Sequence, residues 1–586
     1  MTRRPWLLFI VLAGCGSSPT APAGPDAPVP TPPLFTPRWA FEPWISKDIS
    51  DTADSRAFVA GFAARRIPVG ALVIDSPWMT HYTTFTPSPS RYAGLAALID
   101  ELHARGVRIV FWTTQMINES SFDLEPGGDS YDGPSPNHPI AVANDYLVNG
   151  GESYFWWKGV GGGIDFFNDE ARTWWHRQQD ALLDLGADGW KLDFGENYIR
   201  TATVATAAGV VSHQAYSEEY YRDFWAYGVE RRGREFLTMV RPWDESYDFP
   251  GRFYAKKEHA PVAWVGDNRR DFIGLADALD HLFRSAAAGY AVIGSDIGGY
   301  LDRDDQHIRD TIPFDVEAFA RWTEVATWWP FFQLHGRANL APWTVPERTE
   351  EVVRIYRLAA TLHHELVPFY FSLAQAARDG GASILKPLGA EESWAGDYRF
   401  QVGEAFLVAP VLGPAEGRSV VLPEGRWFDW WDPSAPALGP GIIAAPAPFD
   451  RIPVYVREGA IVPFAVSSTL TGLAPASDVA ELGLLIYPGP DLSRFVLHDQ
   501  DDTAVLIEAS AAAGVDVRLA RVRVPSLLTI RSPLTIASVR AGGATLERSE
   551  DARRLADAPS GWLQEGPTIW VKVAPVMGPV DVELRP

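Results

Sequence analysis

The chain has 586 residues, of which 46% are hydrophobic and 21% charged, an ordinary balance for a globular protein of about two to four domains. The net charge is −23, from 51 basic and 74 acidic residues, and the sequence contains no Lys/Arg-rich run. A nucleic-acid partner needs a basic stripe, so that class of function is excluded. The only cysteine is Cys15, which excludes intrachain disulfides and cysteine-based metal sites.

The first 36 residues have the pattern of an exported and anchored protein. Arg3 and Arg4 precede an apolar run over residues 6–13, long enough for a signal-peptide core and too short to span a bilayer. The run ends in Leu-Ala-Gly-Cys, which resembles a bacterial lipoprotein processing box and implies that residues 1–15 contain a signal peptide cleaved before an acylated Cys15. Residues 16–36 are rich in proline and predict an extended tether. We therefore expect a lipid-anchored protein of the bacterial cell envelope, held at a membrane; an ordinary secretory signal and a secreted protein are the alternative.

Between residues 37 and 380, short apolar runs alternate with helical patterns. Eight runs have strand character, namely residues 39–44, 70–74, 107–112, 189–192, 236–240, 262–265, 291–293 and 329–334. One helix is expected over residues 169–185, ended by Gly186 and leading directly into the fourth strand. Eight strands that alternate with helices predict an α/β fold, a (β/α)₈ TIM barrel.

Polar side chains stand at or just past the ends of six of these runs. They are Asp75, Asp193, Arg241, Asp267, Asp296 and His335. Any one of them alone would be read as a loop carboxylate or a helix cap. Six polar residues, each at or just past the end of a different predicted strand, instead predict a functional site at the carboxyl-terminal face of the barrel. Barrel enzymes have their active sites at this face.

The remaining segments predict a wall for this site and two smaller β domains. The long connection over residues 119–165 follows the third strand, and we expect it to wall the pocket. After residue 380 the sequence changes to short strands separated by proline and glycine turns, typical of antiparallel β-sandwiches. We expect a proximal β-sandwich over residues 381–466 and a distal one over residues 467–586.

Two short motifs carry the strongest functional signal. GWKLDFGEN at 189–197 and AWVGDNR at 263–269 each deliver one aspartate directly after an apolar strand. Glycoside hydrolysis needs two such carboxylates, one as nucleophile and one as proton donor. With VIDSPWM (73–79), GSDIGGY (294–300), LHG (334–336), FLVAPVL, LPEGRW and IPVYVREGA in the same order, residues 37–465 resemble glycoside hydrolase family 31.

The resemblance implies a role for each matching residue. Asp193 would be the nucleophile and Asp267 the general acid/base of a retaining α-glycosidase, with their carboxyl groups about 5–5.5 Å apart. Residues implied to bind the sugar are Asp75, Trp78, Lys191, Arg241, Trp264, Asp296 and His335. Glu196 is interpreted as a brace for the nucleophile loop or, equally, as a helix-start carboxylate. No metal or other cofactor is expected, since no clustered ligand spacing follows a strand.

The substrate is expected to be an oligosaccharide or glycoside, and the KLDFGE form resembles the branch of the family that contains α-xylosidases. An α-xyloside is therefore the preferred expectation; α-glucosidase, α-galactosidase and sulfosugar α-glycosidase activities remain alternatives. A different class is a non-catalytic glycan-binding lipoprotein, although binding alone would not require both carboxylates and the lysine. Oligomeric state is not determined by the sequence.

The sequence departs from the family pattern in two places, and both concern which sugar is bound rather than which reaction is catalysed. Only the tether precedes the barrel, where family members usually carry a large β-sandwich that contributes a loop to the pocket. Gln333 stands where the family usually has an arginine that supports an acidic sugar-binding residue. We expect rearranged hydroxyl contacts, and a pocket that is either more open or closed by residues 119–165.

Overall fold

The computed structural model describes residues 31–245, 251–303 and 310–586. The predicted signal peptide, Cys15 and most of the predicted tether lie outside these residues. Across the described ranges, every helix is too short or too polar to cross a membrane. The last tether residues pack against the barrel, where Thr36 is buried and its Oγ1 donates to the carbonyl of Pro261 at 2.6 Å.

Eight parallel strands form a closed barrel, as the sequence predicted. They are β1 (Trp44–Lys47), β2 (Ala71–Ile74), β3 (Arg108–Thr113), β4 (Gly189–Leu192), β5 (Leu237–Val240), β6 (Val262–Val265), β7 (Ile293–Ile297) and β8 (Gln333–Leu334). Each strand pairs with the next along the chain, and β8 closes the barrel by pairing with β1. The strands are almost entirely buried because the barrel interior and the surrounding helices cover both faces. The predicted α/β barrel fold is confirmed.

Helices surround the barrel and return the chain from one strand to the next. Their bounds are Thr52–Ala64, Leu95–Ala104, Asp169–Leu185, His213–Arg232, Phe272–Ala287, Val316–Ala326, Thr349–Glu365 and Val367–Arg378. The third of these begins where the Asn168 side chain accepts from two backbone N–H groups. It ends at Gly186, whose φ of 109° lies in the left-handed region that favours glycine. Both ends lie where the sequence predicted them, because local capping determines them.

The first strand begins later than expected. Residues 38–41 form a short 3-10 helix, and β1 runs from Trp44 to Lys47 rather than over 39–44. Pro43 has no N–H to donate in the middle of a buried ladder, so the pairing starts after it. Trp39 instead stacks on Trp44, with ring centroids 5.2 Å apart. The shift brings Asp48 to the carboxyl end of β1.

The connection after β3 forms a small subdomain of its own, called here the insertion (residues 116–163). It has a three-stranded antiparallel sheet of Met116–Ser121, Gly159–Gly163 and Tyr154–Trp156, and a helix His138–Ala143. Two further antiparallel strand pairs lie on the same face of the barrel. They are Thr203–Thr206 with Gly209–Ser212 and Trp243–Asp244 with Arg252–Phe253.

Three sheets follow the barrel. The first has six antiparallel strands in the order Leu385–Pro387, Phe400–Val402, Phe406–Val408, Val454–Arg457, Gly417–Asp429 and Pro436–Pro446. The second has the order Ile461–Ala465, Leu482–Ile486, Ser526–Arg531, Thr568–Val573 and Gly561–Glu565. The third has the order Ser493–His498, Ala504–Ser510, Val515–Leu519, Val580–Arg585, Ser538–Ala541 and Ala544–Thr545, and a short helix Ala552–Asp557 completes the region.

The second and third sheets enclose a common apolar core and form one β-sandwich. The region before it, expected to be a sandwich, is instead built on a single six-stranded sheet. The strand Ile461–Ala465 pairs with Leu482–Ile486 in the sandwich, although the sequence grouped it with the preceding unit. One pair of strands in the sandwich is parallel, Leu482–Ile486 with Ser526–Arg531. The sequence had predicted only antiparallel strands in this region. Alternating strand patterns locate strands but do not specify their partners.

Candidate active site

Asp193 follows β4 directly, and three donors hold its side chain. The Trp112 Nε1 group donates to Oδ2 at 2.9 Å, and the Phe194 backbone N–H and Arg241 Nη2 both donate to Oδ1 at 2.9 Å. Burial opposes ionisation, but the charges of Arg241 and Lys191 outweigh it and lower the pKa of Asp193 to about 2. The carboxylate is therefore ionised across the physiological pH range. The Asp193 side chain is 14% exposed to solvent.

One guanidinium connects the two predicted catalytic carboxylates. Arg241, at the end of β5, is buried, and its Nη2 atom contacts Oδ1 of Asp193 and Oδ2 of Asp267. Two hydrogen bonds of about 3 Å from one atom keep these oxygens no more than about 6 Å apart. Arg241 Nη1 also contacts Asp244 at 3.3 Å. The sequence placed Asp193, Arg241 and Asp267 on three different strands, and the barrel brings them together.

Asp267 reaches this position through a sharp turn after β6. Its φ of 61° lies in the left-handed region, which aspartate tolerates better than most residues. At the preceding Gly266, a Cβ atom would lie 2.2 Å from Nε1 of Trp264 and 2.9 Å from Oδ2 of Asp296. Only glycine fits there, because the backbone crosses directly over these two side chains.

A second group of charged side chains lies on the other side of Lys191. Lys191 Nζ donates to Oδ2 of Asp75 at 2.7 Å, and its ammonium lies 5.4 Å from the centre of the Trp264 ring. His335 Nε2 lies 2.9 Å from Oδ1 of Asp48 and 3.8 Å from Asp75. All of these side chains are buried. The geometry therefore joins Asp75, Lys191, Trp264 and His335, four of the residues predicted to bind sugar.

Burial and mutual charge set the protonation of this group. Burial and the nearby Lys191 disfavour a charged His335, but Asp48 and Asp296 outweigh them and raise its pKa to about 10. Burial raises the pKa of Asp75 to about 6, although Lys191 counteracts it. The pKa of Lys191 is raised above its usual range because the surrounding carboxylates outweigh its burial. The site thus presents an imidazolium and an ammonium between acidic acceptors.

Sequence reasoning missed Asp48, the strand-end residue of β1. The cause is the misplaced first strand, which put the barrel edge at residue 44 instead of 47. The register pairs Lys47 with Ile74, so Asp48 and Asp75 are equivalent positions after neighbouring strands. Because proline cannot donate a hydrogen bond to a neighbouring strand, Pro43 indicates that the strand begins after it. A strand that begins at residue 44 places Asp48 directly after its end. Trp112, the donor to the nucleophile, was also missed because it was counted only as a strand residue.

Asp296 lies within β7 rather than after it, and its neighbour on β8 supports it. Gln333 Nε2 donates to Oδ1 of Asp296 at 2.7 Å, so the glutamine supports this acidic residue from the position where an arginine was expected. Oδ2 of Asp296 and Nε1 of Trp264 are buried without a hydrogen-bond partner among the described residues. Buried polar atoms of this kind are suited to the hydroxyl groups of a bound ligand.

Trp78, which was also predicted to bind the sugar, lies among apolar side chains. Trp78 is fully buried, packs against Phe111 with ring centroids 5.0 Å apart, and donates through Nε1 to the carbonyl of Trp112. Trp78 thus supports Trp112, whose own Nε1 donates to Asp193. Its implied contact with the sugar stays a prediction.

Glu196 lies in the short helix Gly195–Tyr198 after the nucleophile and is fully buried. Its Oε1 accepts from Ser217 and Tyr221 at 3.3 and 3.0 Å, and its carbonyl is 2.8 Å from His213 Nε2. Burial raises the pKa of Glu196 to about 7. The side chain thus joins the nucleophile loop to the helix His213–Arg232, as a brace would.

The insertion reaches the nucleophile through aromatic side chains. Trp157 contacts Trp112 edge-on at 6.2 Å and Tyr198 at 5.2 Å, and it is partly exposed. Trp112 in turn is hydrogen-bonded to Asp193. The insertion therefore lies beside Asp193, where the sequence expected a wall.

One grouping has the ligand types of a cation site. Asp48, Asp75 and His335 each offer an atom within 4.8 Å of the others. Lys191 and the imidazolium of His335 already neutralise these carboxylates, so a metal ion would have to displace them. The expectation that the protein needs no metal stays a prediction.

The family comparison matches both parts of this architecture. The glycosyl hydrolases family 31 TIM-barrel domain matches residues 33–373, which is more than half of the chain. The chain belongs to glycoside hydrolase family 31. The C-terminal domain of the same family matches residues 382–462, the region of the six-stranded sheet.

The relatives of this chain carry the names of several different activities. The chain is 24% identical to "Alpha-glucosidase 2" of Bacillus thermoamyloliquefaciens, over 73% of this chain and 53% of the relative. It is 23% identical to "Isomaltosyltransferase" of Sporosarcina globispora (91% and 51%) and 22% identical to "Alpha-xylosidase" of Emericella nidulans (74% and 54%). The chain thus spans about half the length of these family 31 relatives.

Solved family 31 structures share the fold. A cycloalternan-forming enzyme from Listeria monocytogenes, in complex with a pentasaccharide substrate, aligns over 95% of this chain and 55% of its own, with a TM-score of 0.80 and 20% identity. A family 31 dextranase from Flavobacterium johnsoniae, complexed with isomaltotriose, aligns over 94% and 71%, with a TM-score of 0.78 and 20% identity. At this identity the likeness concerns the fold alone.

Proposed function

We propose that the chain is a retaining α-glycosidase that cleaves terminal α-linked sugars through a covalent glycosyl-Asp193 intermediate. The observation that carries the proposal is the single Arg241 Nη2 atom in contact with both Asp193 and Asp267. It limits the two carboxylate oxygens to about 6 Å, which suits the spacing of about 5–5.5 Å in retaining enzymes. An inverting enzyme needs about 6.5–9.5 Å to admit a water molecule between its carboxyl groups.

In the first step Asp193 attacks the anomeric carbon while the bond from that carbon to the leaving oxygen breaks. Asp267 delivers a proton to this oxygen, so the leaving group departs as a neutral alcohol. For this role Asp267 carries the proton and exchanges its contact with Arg241 for one with the leaving oxygen. Arg241 then stays on Asp193, whose low pKa keeps the nucleophile ionised.

In the second step a water molecule replaces the leaving group. Asp267, now a carboxylate, takes one proton of the water while the water oxygen bonds to the anomeric carbon. The bond between that carbon and Asp193 breaks, and the free sugar leaves with its original anomeric configuration. The return of the Asp267 charge restores its ion pair with Arg241.

The charged group around Lys191 is the proposed binding site for the sugar to be cleaved. Asp48, Asp75 and Asp296 offer acceptors for hydroxyl groups, while Lys191 and His335 offer donors. The unpartnered Oδ2 of Asp296 and Nε1 of Trp264 supply two further sites. Such dense polar lining supports a hydroxyl-rich ligand such as a pyranose.

An α-xyloside is the proposed substrate, on the basis of the KLDFGE form of the nucleophile motif. The α-glucosidase, α-galactosidase and sulfosugar alternatives have the same reaction and differ only in the sugar contacts. A panel of aryl α-glycosides of xylose, glucose, galactose and sulfoquinovose, tested on the chain without residues 1–30, separates them. We expect the highest kcat/KM with the xyloside.

The Asp193→Ala variant tests the reaction itself. Turnover of the preferred aryl α-glycoside should fall to background because the covalent step has no substitute. Azide should partly restore turnover and yield a β-glycosyl azide, since a small anion can attack from the side that the carboxylate leaves open. Circular dichroism and the melting temperature provide the folding control. A variant with near-wild-type activity would disprove the nucleophile assignment, and a wild type inactive on every glycoside would leave the glycan-binding alternative.

We also propose that the protein is lipid-anchored in the bacterial cell envelope through Cys15. The proposal rests on the lone cysteine after Leu-Ala-Gly and on the proline-rich residues that follow it. The tether would hold the barrel at the membrane surface while leaving the site free to meet its substrate.

A further inference from the structure

A buried lysine organises the part of the insertion that approaches the sugar site. Lys158 is 1% exposed at its side chain, and its Nζ lies 2.9 Å from both oxygens of Asp123 and 2.6 Å from Oε2 of Glu125. A cation buried this deeply is stable only when such carboxylates surround it. Its charge therefore fixes the position of Glu125, which lies in the connection between two strands of the insertion.

The Glu125 side chain extends from the insertion and contacts two residues of the barrel face. Its Oε1 accepts from the hydroxyl of Tyr300 at 3.0 Å and from Nε of Arg337 at 3.1 Å. Tyr300 follows β7 and Arg337 follows β8. One carboxylate of the insertion thus bonds to both of the last two strand ends of the barrel.

Tyr300 continues the chain of contacts to the sugar site. Its hydroxyl also lies 2.8 Å from Oδ2 of Asp48, while Oδ1 of Asp48 lies 2.9 Å from His335. A phenol has a single proton and can donate it to one carboxylate at a time. The Tyr300 proton is therefore shared between Asp48 and Glu125, and Arg337 still donates to Glu125 when that proton lies toward Asp48.

The backbone of Asp48 is fixed independently of its side chain. Its N–H donates to Oδ1 of Asn339 at 2.9 Å, and its carbonyl accepts from Nδ2 of the same residue at 3.0 Å. The main chain therefore stays in place when the Tyr300 hydroxyl is removed. What changes is the orientation of the carboxylate that holds His335.

We propose that Tyr300 and Glu125 are positioning residues, through which the insertion orients Asp48 and His335 for sugar binding. The inference rests on the proposed function of the site, and it assigns to the insertion a task beyond walling the pocket. The contacts run from Lys158 to Glu125, Tyr300, Asp48 and His335, with each pair within hydrogen-bond distance. The substrate contact is made only by the last two residues.

The Tyr300→Phe variant removes one hydroxyl and preserves the ring that packs on His335 at 4.9 Å. We expect KM for the preferred aryl α-glycoside to rise about tenfold, the usual size for a lost hydrogen bond to a charged group. The kcat value should change by less than about threefold, because the contacts of Asp193 and Asp267 are untouched. Calorimetric binding of the free monosaccharide should weaken by the same factor as KM.

The matched control is Tyr154→Phe. Tyr154 is another tyrosine of the insertion, and its hydroxyl donates to Oε2 of Glu152 at 2.6 Å and accepts from Nδ2 of Asn149 at 2.8 Å, two residues outside the proposed chain of contacts. Its loss should lower the melting temperature and leave KM unchanged. A general loosening of the insertion would instead raise KM in both variants, and that result would overturn the proposal.

Glu125→Gln completes the test as a double-mutant cycle with Tyr300→Phe. If both act through Asp48, the double variant should raise KM no more than about twofold beyond the larger single effect. Effects that multiply fully, or an unchanged KM in Tyr300→Phe with an active wild type, would overturn the relay and leave the proposed function intact. A wild type that neither hydrolyses nor binds any sugar of the panel would overturn both.

Discussion

Asp193 and Asp267 share one guanidinium, but the rest of their surroundings differ. Asp193 receives two further donors, from Trp112 and the Phe194 N–H, and Lys191 adds a positive charge nearby. These groups favour the ionised form that a nucleophile needs. Asp267 sits on a left-handed turn after β6 and contacts Arg241. At the residue scale, the surroundings of Asp193 suit the role of nucleophile that is proposed for it.

Asp267→Asn should separate leaving-group assistance from the rest of catalysis. A poor leaving group needs the proton, so its kcat/KM should fall by about 10²–10⁴-fold. An activated glycosyl fluoride departs without a proton, and formation of its intermediate should fall much less. Pre-steady-state kinetics on both substrates provide the measurement. Equal losses on the two would remove Asp267 from the acid/base role.

Lys191→Met should move the acidic limb of the pH profile upward. The Lys191 charge helps to hold the pKa of Asp193 at about 2, below the ordinary value for aspartate. Without it the folded-state pKa rises, so protonation inactivates the nucleophile at a higher pH. The kcat/KM profile, begun near pH 2 and continued to pH 8, measures the shift, and Lys257→Met, a change at the surface, is the control. A limb at the wild-type position would show that Lys191 does not influence the nucleophile.

At the scale of elements, Asp193 follows β4, Asp267 follows β6, and the insertion lies beside Asp193. Its strand Tyr154–Trp156 leads into Trp157, whose ring contacts Trp112 beside the nucleophile. Partly exposed aromatic rings next to a sugar site can stack on the apolar face of a pyranose. We therefore expect Trp157 to contact the leaving part of an oligosaccharide.

Trp157→Ala should lower kcat/KM for an α-linked disaccharide or longer oligosaccharide by about tenfold, since one stacking contact is lost. A glycosyl fluoride has no second sugar, so its kcat/KM should stay within about threefold of the wild type. Trp174→Ala is the matched control, because Trp174 is also partly exposed but packs on Tyr146. Comparable losses on both substrates would contradict a leaving-group contact.

At the scale of the whole molecule, the barrel and the first two C-terminal sheets share one continuous apolar core. Arg321, a buried residue of the helix Val316–Ala326, donates to the carbonyls of Pro448, Arg451 and Ala447. Removing its charge would leave several carbonyls without a donor, which is costly in a buried contact. The first C-terminal sheet is therefore packed firmly onto the barrel, and we expect residues 1–30 to be dispensable for activity.

Cys15→Ser should release the protein from the membrane fraction without loss of activity. The lipid would be attached at Cys15, and stable anchoring needs two or more acyl chains there. Fractionation of cells, with activity measured in each fraction, provides the test. Ser18→Ala, a change in the tether just past the cysteine, is the control and should remain in the membrane fraction. A serine variant that still sediments with membranes would contradict the anchor.

Much of the fold could be predicted from local patterns. The helix Asp169–Leu185 and the strands β4 and β6 lie where periodicity and capping placed them. The prediction over residues 39–44 was wrong because Pro43, a local signal that excludes the ladder before residue 44, was not taken into account. The strand Ile461–Ala465 was grouped with the preceding unit because its partner, Leu482–Ile486, lies about 20 residues further along the chain.

The sequence by itself determined the family, the barrel and the residues at its strand ends, because these depend on short motifs and on the alternation of strands and helices. Only the tertiary structure decided how these residues meet. Arg241 bridges two carboxylates 26 and 48 positions away, and Tyr300 joins Asp48 to Glu125 across 252 and 175 positions. Contacts at such separation leave no periodic signal, because they arise when a closed barrel brings eight strand ends to one face.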